Sequence, residues 1–335
     1  MTTTPEIRER TVTPFAWRVS HPKLIVTIPA YNEEASIADV IREIPRDIEG
    51  VDSVEVLVLD DGSNDGTAAA ALAAGADYVI SHATNKGLAV SFRDLLREAL
   101  QRGADIIVNT DADNHYDQSR IGDLIRPIVE GKADITIGSR DVHNLPMRWT
   151  NKWGNQVGSY VVRTLAGLPS GLDVSTGFRA YSREAALGLN VMSNHTYTHE
   201  TLIAAMEAGL AIADVPLPAR HVERPSRLIR GIPSHVVRAL RVILRSYTIY
   251  WPMRIFMGLA AILIIAGMIP MGRYLTLAAT EGPAGHLQSL IVGAVLLLVG
   301  FQVLVLSLLA SSIAWNRKML EEMLYRQRRR DYEQR

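Results

Sequence analysis

The chain has 335 residues, of which 48% are apolar, so it can bury a sizeable core and is not a disordered protein. It contains no cysteine, which excludes disulfide bonds, cysteine-ligated zinc and thiol catalysis. Its 35 basic and 35 acidic side chains cancel. Residues 1–214 hold 19 basic and 29 acidic side chains, a balance of −10, whereas residues 215–335 hold 16 and 6, a balance of +10. The zero net charge therefore conceals two regions of different construction.

The first part of the chain predicts an α/β domain. Residues 1–21 lack the apolar segment of a signal peptide and form a polar lead-in. From Leu24 onward, short apolar runs alternate with amphipathic stretches, which predicts a parallel sheet with helices on both faces. The predicted strands are residues 24–29, 54–60, 77–81, 105–111 and 133–138. In such sheets the ligand site lies beyond the carboxyl ends of the strands.

The C-terminal part predicts a membrane anchor. Residues 233–252 place apolar side chains on one side and arginines on another, which is typical of an amphipathic juxtamembrane helix or of a helix packed on the globular domain. Residues 255–277 contain one charged side chain and residues 287–315 contain none. Because about 20 apolar residues span a bilayer, both segments are long enough to be transmembrane helices.

The distribution of charge around these segments predicts their orientation. Their linker, ATEGPAGH, has no Lys or Arg, whereas both flanking regions are basic. By the positive-inside rule, both termini are cytoplasmic. We therefore expect a polar lead-in, a globular domain, a juxtamembrane helix, two transmembrane helices and a basic cytoplasmic tail, with the boundaries 1–21, 22–232, 233–252, 253–315 and 316–335.

Acidic and polar residues follow three of the predicted strands. They are PAYNEE from Pro29, DDGSNDGT from Asp60 and DADN from Asp111. Carboxylates at neighbouring strand ends repel one another unless a cation or a ligand with donor groups lies among them. The oxygens of Asp111 and Asp113 suit Mg²⁺ or Mn²⁺, whose remaining positions phosphate oxygens commonly fill. On its own, DADN is also compatible with a solvated turn.

The second acidic segment also contains residues with structural roles. Gly62 and Gly66 predict a tight loop that uses positive φ angles. Asp65 predicts a helix cap. Glu33 and Asp61 each precede a helical stretch, so N-capping is an alternative to a binding role for them as well.

Together these motifs resemble those of a known family. PAYNEE, LDDGSNDGT, NKG at residues 85–87 and DADN, in this order and spacing, resemble glycosyltransferase family 2, the inverting GT-A fold enzymes that use nucleotide sugars. GSR at residues 138–140, DVSTGFRAY at residues 173–181 and the two-helix anchor make the chain most similar to the polyprenyl-phosphate members, such as dolichyl-phosphate mannose or glucose synthases. The resemblance covers roughly residues 22–315.

The resemblance implies a fold and an activity. The fold is GT-A, a Rossmann-like α/β domain with a mostly parallel sheet, followed by two transmembrane helices. The activity is metal-dependent transfer of a sugar from a UDP- or GDP-sugar to a polyprenyl phosphate at the cytoplasmic membrane face, with Mg²⁺ or Mn²⁺ as cofactor. The phosphate oxygen of such an acceptor is already anionic near neutral pH, so no strong general base is required. Positive charge near both phosphate groups is required instead.

The resemblance also implies roles for individual residues. The implied nucleotide-binding residues are Pro29, Tyr31, Glu33, Asp61, Asp111 and Ala112. The implied metal ligands are Asp113, Asp111 and His115, with Asp113 the direct ligand and a structural role the alternative for His115. The implied catalytic residues are Asp113, Arg140 and Glu200. The implied acceptor-phosphate residues are Arg140, Arg148, Lys152 and Arg179, and Ser226 and Arg227 would close over the diphosphate. Arg148 and Lys152 are alternatively surface cations, and Arg179 alternatively pairs with Asp173.

The sequence departs from the family pattern at several positions. Asn114 stands where glutamine is frequent, Arg224 where glycine is usual and Arg227 where lysine is usual, so the segment expected to close over the diphosphate keeps its charge but differs in shape. A processive synthase is disfavoured, because the Arg-Trp pair at residues 148–149 has Leu145 in place of the glutamine of Gln-x-x-Arg-Trp.

Other functions stay open or are disfavoured. The alternatives are a family 2 enzyme with a glycolipid or polysaccharide acceptor, and a non-catalytic membrane sensor of nucleotide sugars. A dinucleotide-dependent oxidoreductase is disfavoured because no G-x-G-x-x-G follows the first strand. Nucleic-acid binding is disfavoured because the arginines flank the membrane segments. A homo-oligomer is possible.

Overall fold

Seven strands among the described residues form one sheet, in the order β3-β2-β1-β4-β6-β5-β7. They are β1 (Lys23–Ala30), β2 (Ser53–Asp60), β3 (Tyr78–Ser81), β4 (Ile106–Asn109), β5 (Ile135–Arg140), β6 (Arg179–Ser182) and β7 (Ile212–Leu217). The accompanying helices are α1 (Ile37–Glu43), α2 (Thr67–Ala73), α3 (Leu88–Gln101), α4 (Ile121–Val129), α5 (Arg183–Gly188) and α6 (Thr198–Glu207). A short 3₁₀ helix, Gln118–Arg120, precedes α4. Two long helices complete the set, α7 (Pro252–Thr280) and α8 (Leu287–Glu333).

The computed structural model describes residues 22–140, 176–191, 197–217, 252–282 and 287–333. The chain divides into two units, one of Met1–Ile232 together with Gln327–Arg335 and the other of Pro233–Arg326. The sheet and the end of α8 belong to the first unit, and α7 with most of α8 belongs to the second. The predicted amphipathic helix at residues 233–252 lies almost entirely outside the described residues, and the predicted domain boundaries stay predictions.

All five strands predicted from the sequence are present, with ends that differ by a few residues. The strands β1 to β4 are parallel to one another, and β5 and β7 are parallel as well. The sheet is mostly parallel, as predicted, and the exception is β6, which runs antiparallel to both β4 and β5. Because β6 is reversed, its first residue, Arg179, lies at the edge where the other six strands end. The segment before β6 therefore enters the sheet at the edge predicted to carry the site.

Apolar side chains bury both faces of the central strands. Leu24, Ile25, Val26 and Ile28 of β1 have no exposed surface. Strand β4 is buried along its whole length. Near-continuous apolar runs of this kind are expected where helices cover a parallel sheet on both sides. This packing fixes the carboxyl ends of β1, β2 and β4, from which the polar loops extend.

The two long helices match the predicted membrane segments. Helix α7 contains residues 255–277, and α8 contains residues 287–315 and continues to Glu333. Only 11% of the most apolar window of each helix is buried, so neither is packed like the core helix of a soluble domain. Both are therefore candidate membrane spans by length and composition.

Glycines allow α7 and α8 to approach each other closely. A Cβ added at Gly300 would lie 2.8 Å from Cγ1 of Ile264, and one added at Gly293 would lie 3.0 Å from the backbone nitrogen of Met271. Small residues at helix crossings are typical of membrane helix pairs, because they let the backbones come together.

Candidate active site

Three polar loops leave adjacent strands at the same edge of the sheet. The register pairs Ala30 with Asp60 and Thr27 with Asn109, so β1, β2 and β4 end side by side. The following loops carry the three acidic or polar motifs, PAYNEE, DDGSNDGT and DADN. The convergence predicted from the sequence is confirmed at the level of these loops.

Side-chain hydrogen bonds hold the first two loops together. The backbone N–H of Asn32 donates to Ser63 Oγ, and the N–H of Asn64 donates back to Asn32 Oδ1, each at 2.9 Å. The N–H of Glu33 donates to Thr67 Oγ1 at 2.9 Å. Asn32 has a positive φ of 53°, a conformation that asparagine tolerates better than most residues. The two loops therefore form one rigid unit.

The predicted nucleotide-binding residues differ in accessibility. Tyr31 is 40% exposed and Glu33 is half-buried, so both side chains can meet a ligand. Pro29 is buried within β1, and Ala112 is 4% exposed in the apolar core. The structure thus leaves Ala112 only its backbone for ligand contact, and it gives Pro29 a structural position at the end of the strand.

The two glycines of the second loop have different reasons to be glycine. Gly62 has a φ of +73°, as predicted, and a Cβ there would lie 2.7 Å from the backbone carbon of Thr84. The prediction of positive φ was wrong for Gly66, whose φ is −78°. A Cβ at Gly66 would lie 2.6 Å from Oε1 of the exposed Glu34, so it would displace the carboxylate that accepts a hydrogen bond from the Gly66 N–H.

The predicted capping role of Asp65 is confirmed. Its Oδ1 accepts a hydrogen bond of 3.1 Å from the N–H of Thr67, the first residue of α2, and a second from the Thr67 hydroxyl. The hydrogen bond with the Thr67 hydroxyl is the main reason why the pKa of Asp65 lies below its ordinary value. Asp65 therefore stabilises the start of α2.

Asp61 is the most thoroughly anchored carboxylate of the site. It is 4% exposed, and it accepts hydrogen bonds from the N–H groups of Lys86 (2.9 Å) and Gly87 (2.8 Å). Gly87 is the N-cap residue of α3. The alternative capping role of Asp61 was wrong for the helix that follows it in sequence, because Asp61 instead binds the loop that leads into α3.

The sequence analysis missed His82, which lies between two carboxylates. Its Nδ1 is 2.7 Å from Oδ1 of Asp61, and its Nε2 is 3.2 Å from Oδ2 of Asp94. The imidazole is largely buried. His82 follows the last residue of β3, so its position just beyond a strand end was the one sequence signal that could have drawn attention to it.

The DADN motif follows β4 as a tight, partly exposed turn. Asp111 and Asp113 are half-buried, and Asn114 adopts a positive φ of 59°. His115 Nδ1 lies 2.7 Å from Oδ2 of Asp113, and the His115 N–H donates to Oδ1 at 3.3 Å. His115 thus contacts the carboxylate of Asp113, as a residue supporting a ligand would. A direct metal bond from His115 stays a prediction.

The segment before β6 packs directly against the acidic motif through Gly177. The Gly177 N–H donates to Tyr116 Oη at 3.2 Å, and its carbonyl accepts from Asn109 Nδ2 at 3.0 Å. A Cβ at Gly177 would lie 2.8 Å from Oδ2 of Asp111. A side chain at Gly177 would therefore displace this carboxylate.

Tyr197 lies beside the same carboxylate. Its ring stacks on Phe92, with centroids 4.0 Å apart, and its hydroxyl accepts a hydrogen bond of 2.9 Å from Asn109 Nδ2. Burial, and then the negative charge of Asp111, raise the pKa of Tyr197 well above its ordinary value of 10.0. The sequence analysis missed Tyr197 and Asn109, because both resemble core residues when seen in sequence alone.

Arg179 has a structural environment. Its side chain has no exposed surface, and its Nη1 donates to the carbonyl of Thr198 at 2.7 Å and to Thr201 Oγ1 at 3.0 Å. Its Nε donates to the carbonyl of Thr176 at 3.0 Å. These contacts connect the start of β6 to α6, and the contact of Arg179 with an acceptor phosphate stays a prediction. Glu200 lies half-buried in the first turn of α6.

The remaining predicted site residues lie outside the described part of the chain. These are Arg148, Lys152, Ser226 and Arg227, together with the alternative partner Asp173. Arg140 ends β5 at the same edge as the polar loops, but its side chain is also outside the description.

The described carboxylates fit a divalent cation that shares its coordination with a ligand. Within residues 22–140 and the other described ranges, no three Asp, Glu or His side chains cluster as a complete metal site. Asp111 and Asp113 offer hard oxygen ligands on one turn. Mg²⁺ is commonly bound through one or two carboxylates, with substrate phosphates completing its coordination. The residues present therefore fit such an ion together with a diphosphate.

A family model and several curated proteins match this chain. The model described as glycosyl transferase family 2 matches residues 25–188. The undecaprenyl-phosphate mannosyltransferase of Micrococcus luteus is 30% identical over 227 residues, which are 64% of this chain and 91% of that protein. The UDP-N-acetylglucosamine–dolichyl-phosphate N-acetylglucosaminyltransferase of Methanococcus voltae is 30% identical over 60% of this chain and 87% of that protein. The polyprenol monophosphomannose synthase of Mycolicibacterium smegmatis is 30% identical over 58% and 76%.

Solved structures support the fold. Glucosyl-3-phosphoglycerate synthase from Mycobacterium tuberculosis, in complex with Mn²⁺, UDP-glucose and phosphoglyceric acid, is 24% identical with a TM-score of 0.53. The match covers 67% of this chain and 80% of that one. The same enzyme with Mg²⁺ and UDP gives a TM-score of 0.52 at 23% identity. At this level of identity the likeness establishes the GT-A fold of the described domain and no more.

Proposed function

Because the chain belongs to glycosyltransferase family 2, we propose that it transfers a sugar from a UDP- or GDP-sugar to a polyprenyl phosphate at the cytoplasmic face of a membrane. The class of enzyme, a glycosyltransferase, follows from family membership. The donor, the acceptor, the use of a metal and the membrane face are the proposal.

The observation that carries the proposal is the convergence of three loops at the ends of β1, β2 and β4. Asp111 and Asp113 offer oxygen ligands on the loop after β4. Asp61, on the loop after β2, is held by backbone N–H groups at the start of α3. Tyr31 presents an exposed ring on the loop after β1. An aromatic ring, an anchored carboxylate and a turn with two carboxylates that suit a divalent cation are compatible with binding of a nucleoside diphosphate.

A divalent cation bound at Asp113 and Asp111 would supply the positive charge that neutralises the departing diphosphate. The chain's own part is to fix these two carboxylates on a turn attached to a buried strand. His115 contributes by contacting Asp113, with 2.7 Å between Nδ1 and Oδ2. A contact of this kind restricts the rotamers that the carboxylate can adopt.

The acceptor is proposed from the relatives and from the two apolar helices. Three relatives are named as transferases or synthases that use undecaprenyl phosphate, dolichyl phosphate or a polyprenol. A polyprenyl chain lies in the bilayer, and α7 and α8 are candidate membrane spans. Because the acceptor oxygen is anionic, the site must hold two phosphate groups close together and in line with the sugar, rather than remove a proton.

Cations are proposed to hold the acceptor phosphate. Arg140 ends β5 at the edge where the donor loops converge, which supports its assignment. Arg148 and Lys152 follow it in sequence and are proposed as its partners. Ser226 and Arg227 are proposed to close over the diphosphate. Glu200, in the first turn of α6, is proposed to lie near the donor sugar.

The cytoplasmic location is supported by charge and by the end of α8. Residues 327–335 belong to the same structural unit as the sheet. Arg183 of α5 donates to the carbonyl of Tyr332 at 3.2 Å, so the end of α8 lies on the catalytic domain. The domain and the C-terminus therefore share one side of the membrane if α7 and α8 span it. The basic residues at both flanks favour the cytoplasmic side.

The test is product identification with the full chain purified in detergent. Labelled UDP- and GDP-sugars are each incubated with undecaprenyl or dolichyl phosphate, in Mg²⁺, in Mn²⁺ or in EDTA. We expect one donor to give a glycosylated polyprenyl phosphate only when a metal is present. Transfer to a diacylglycerol or a polysaccharide instead would overturn the acceptor assignment, and nucleotide-sugar binding without transfer to any acceptor would identify a sensor.

A further inference from the structure

A buried polar cluster lies directly behind Asp111. It consists of the side chains of Asn109 and Tyr197 and the backbone of Gly177, and it comes from three separate parts of the chain. Asn109 has no exposed surface, and Tyr197 is 1% exposed. Burying polar groups this deep in an apolar core is costly unless they are hydrogen-bonded, so each of their donors and acceptors is expected to have a partner.

The carbonyl of Gly177 fixes the orientation of the Asn109 amide. A carbonyl oxygen only accepts hydrogen bonds, so the group that faces it at 3.0 Å must be the Asn109 NH₂. The other proton of this NH₂ points to Tyr197 Oη, 2.9 Å away. Tyr197 therefore accepts from Asn109, and its own hydroxyl proton must be directed elsewhere.

The carboxylate of Asp111 is the charged group that faces the same space as this hydroxyl. The position that a Cβ of Gly177 would occupy lies 2.8 Å and 2.9 Å from the two carboxylate oxygens of Asp111 and 3.0 Å from Tyr197 Oη. The space that the missing side chain of Gly177 leaves open is therefore bordered by both the Tyr197 hydroxyl and the Asp111 carboxylate.

We propose that Tyr197 is a positioning residue that orients the Asp111 carboxylate toward a divalent cation and the diphosphate. The proposal rests on the metal site in the proposed function and adds to it a residue that touches neither metal nor substrate. Asn109 sets the direction of the Tyr197 hydroxyl, and the stacked ring of Phe92 holds the phenol in place. Residues that contact a metal ligand in this way fix its orientation and raise the affinity of the site for the metal.

The arrangement also connects the acidic motif to α6. Tyr197 immediately precedes Thr198, the first residue of this helix, and Glu200 lies in its first turn. A displaced Tyr197 would therefore disturb both the Asp111 carboxylate and the start of the helix that carries Glu200. Tyr197 therefore affects the site in two ways, through the orientation of Asp111 and through the position of the helix that carries Glu200.

The test compares Tyr197→Phe with Tyr181→Phe in the full chain in detergent. Both substitutions remove one hydroxyl from a fully buried ring, and the ring of Tyr181 also lies near Phe92, at 5.8 Å between centroids. Mn²⁺ binding is measured by electron paramagnetic resonance in the presence of UDP or GDP. We expect Tyr197→Phe to raise the Mn²⁺ dissociation constant by about 10-fold, the lower end for such supporting residues, and Tyr181→Phe to leave it unchanged.

An unchanged Mn²⁺ dissociation constant in Tyr197→Phe, or an equal rise in Tyr181→Phe, would overturn the proposal while leaving the proposed function intact. Wild-type protein that binds no Mn²⁺ with either nucleotide would overturn the metal site itself. If Tyr197→Phe unfolds, Asn109→Leu provides the second test, because it removes the hydrogen bond that directs the hydroxyl and is expected to weaken Mn²⁺ binding in the same direction.

Discussion

Arg328 of α8 donates a hydrogen bond of 3.1 Å to the carbonyl oxygen of Leu189, the residue that follows α5. The same nitrogen donates to the carbonyl of Leu187 at 3.1 Å. In return, Arg183 of α5 donates to the carbonyl of Tyr332 near the end of α8. The last carbonyls of a helix have no partner within the helix, and they carry the negative end of its dipole. Each helix thus supplies an arginine to the carboxyl end of the other.

We expect Arg328→Ala to destabilise the catalytic domain. The substitution leaves two carbonyls without their charged donor, which typically costs about 1–3 kcal/mol for a group of this kind. Because Arg328 is only half-buried, the lower end of that range applies. Arg326→Ala is the matched control, since Arg326 is exposed and pairs with Glu322 on its own helix. Thermal unfolding in detergent should show a lower midpoint for Arg328→Ala alone. Equal midpoints in the two variants would contradict the capping role.

We expect Asp61→Asn to lose both stability and nucleotide affinity. An amide in place of this carboxylate directs its NH₂ group at one of two donors that need an acceptor, because the N–H groups of Lys86 and Gly87 bind different oxygens of Asp61. An unsatisfied buried group costs about 1–3 kcal/mol. Calorimetric titration with UDP and GDP should show at least about 10-fold weaker binding, which corresponds to about 1.4 kcal/mol. Asp94→Asn, on the far side of His82, is the control and should bind nucleotide like the wild type.

The strands were predictable because their signal is local. Apolar runs such as residues 54–60 are complete within the sequence, and the structure buries them as expected. Strand β6 was not predicted, since its four residues begin with an arginine. That arginine, Arg179, is fully buried because α6 supplies acceptors to it, and no local pattern reveals such a partner.

In the site, too, features with a local sequence pattern could be predicted, and features that depend on contacts between distant residues could not. The three loops could be predicted, because strand ends in a parallel sheet converge and the motifs occur at those ends. The residues that lie behind these three loops could not be predicted. His82, Asn109 and Tyr197 obtain their roles from contacts between residues 12 to 88 positions apart. Seen singly, each resembles an ordinary buried or surface residue, so only the fold identifies them.

We expect Asp113→Ala to abolish metal-dependent transfer and to preserve the fold. Asp113 lies on a partly exposed turn and supports no helix or strand among the described residues, so its removal should leave thermal unfolding close to wild type. The control is Asp123→Ala, which removes the two ion pairs of Asp123, with Arg120 and Arg126, at the start of α4. Activity is measured across a Mn²⁺ titration and after EDTA. Full activity of Asp113→Ala in EDTA would exclude the metal assignment.

We expect Arg140→Ala to impair use of the acceptor more than binding of the donor. The proposed role is electrostatic, so the variant should lower kcat or raise the KM for polyprenyl phosphate by about 100-fold or more, as loss of one charge-stabilising donor does elsewhere. Arg140→Lys should recover part of the activity, because lysine keeps the charge without the planar two-pronged contact. UDP or GDP binding should change little. Unchanged lipid-acceptor kinetics would remove Arg140 from the site.

We expect Gly300→Leu to disrupt the packing of α7 against α8, whereas Gly258→Leu should not. A Cβ at Gly300 would already lie 2.8 Å from Cγ1 and 3.1 Å from the backbone nitrogen of Ile264, and a Cβ at Gly258 meets nothing within 4 Å. Overpacking costs about 1–3 kcal/mol, and leucine is otherwise the better helix former. Gly258→Leu should therefore be neutral or stabilising. Thermal unfolding in detergent distinguishes steric overlap from helix propensity. Steric overlap predicts a lower unfolding midpoint for the Gly300 variant alone, whereas helix propensity alone predicts a higher midpoint for both variants.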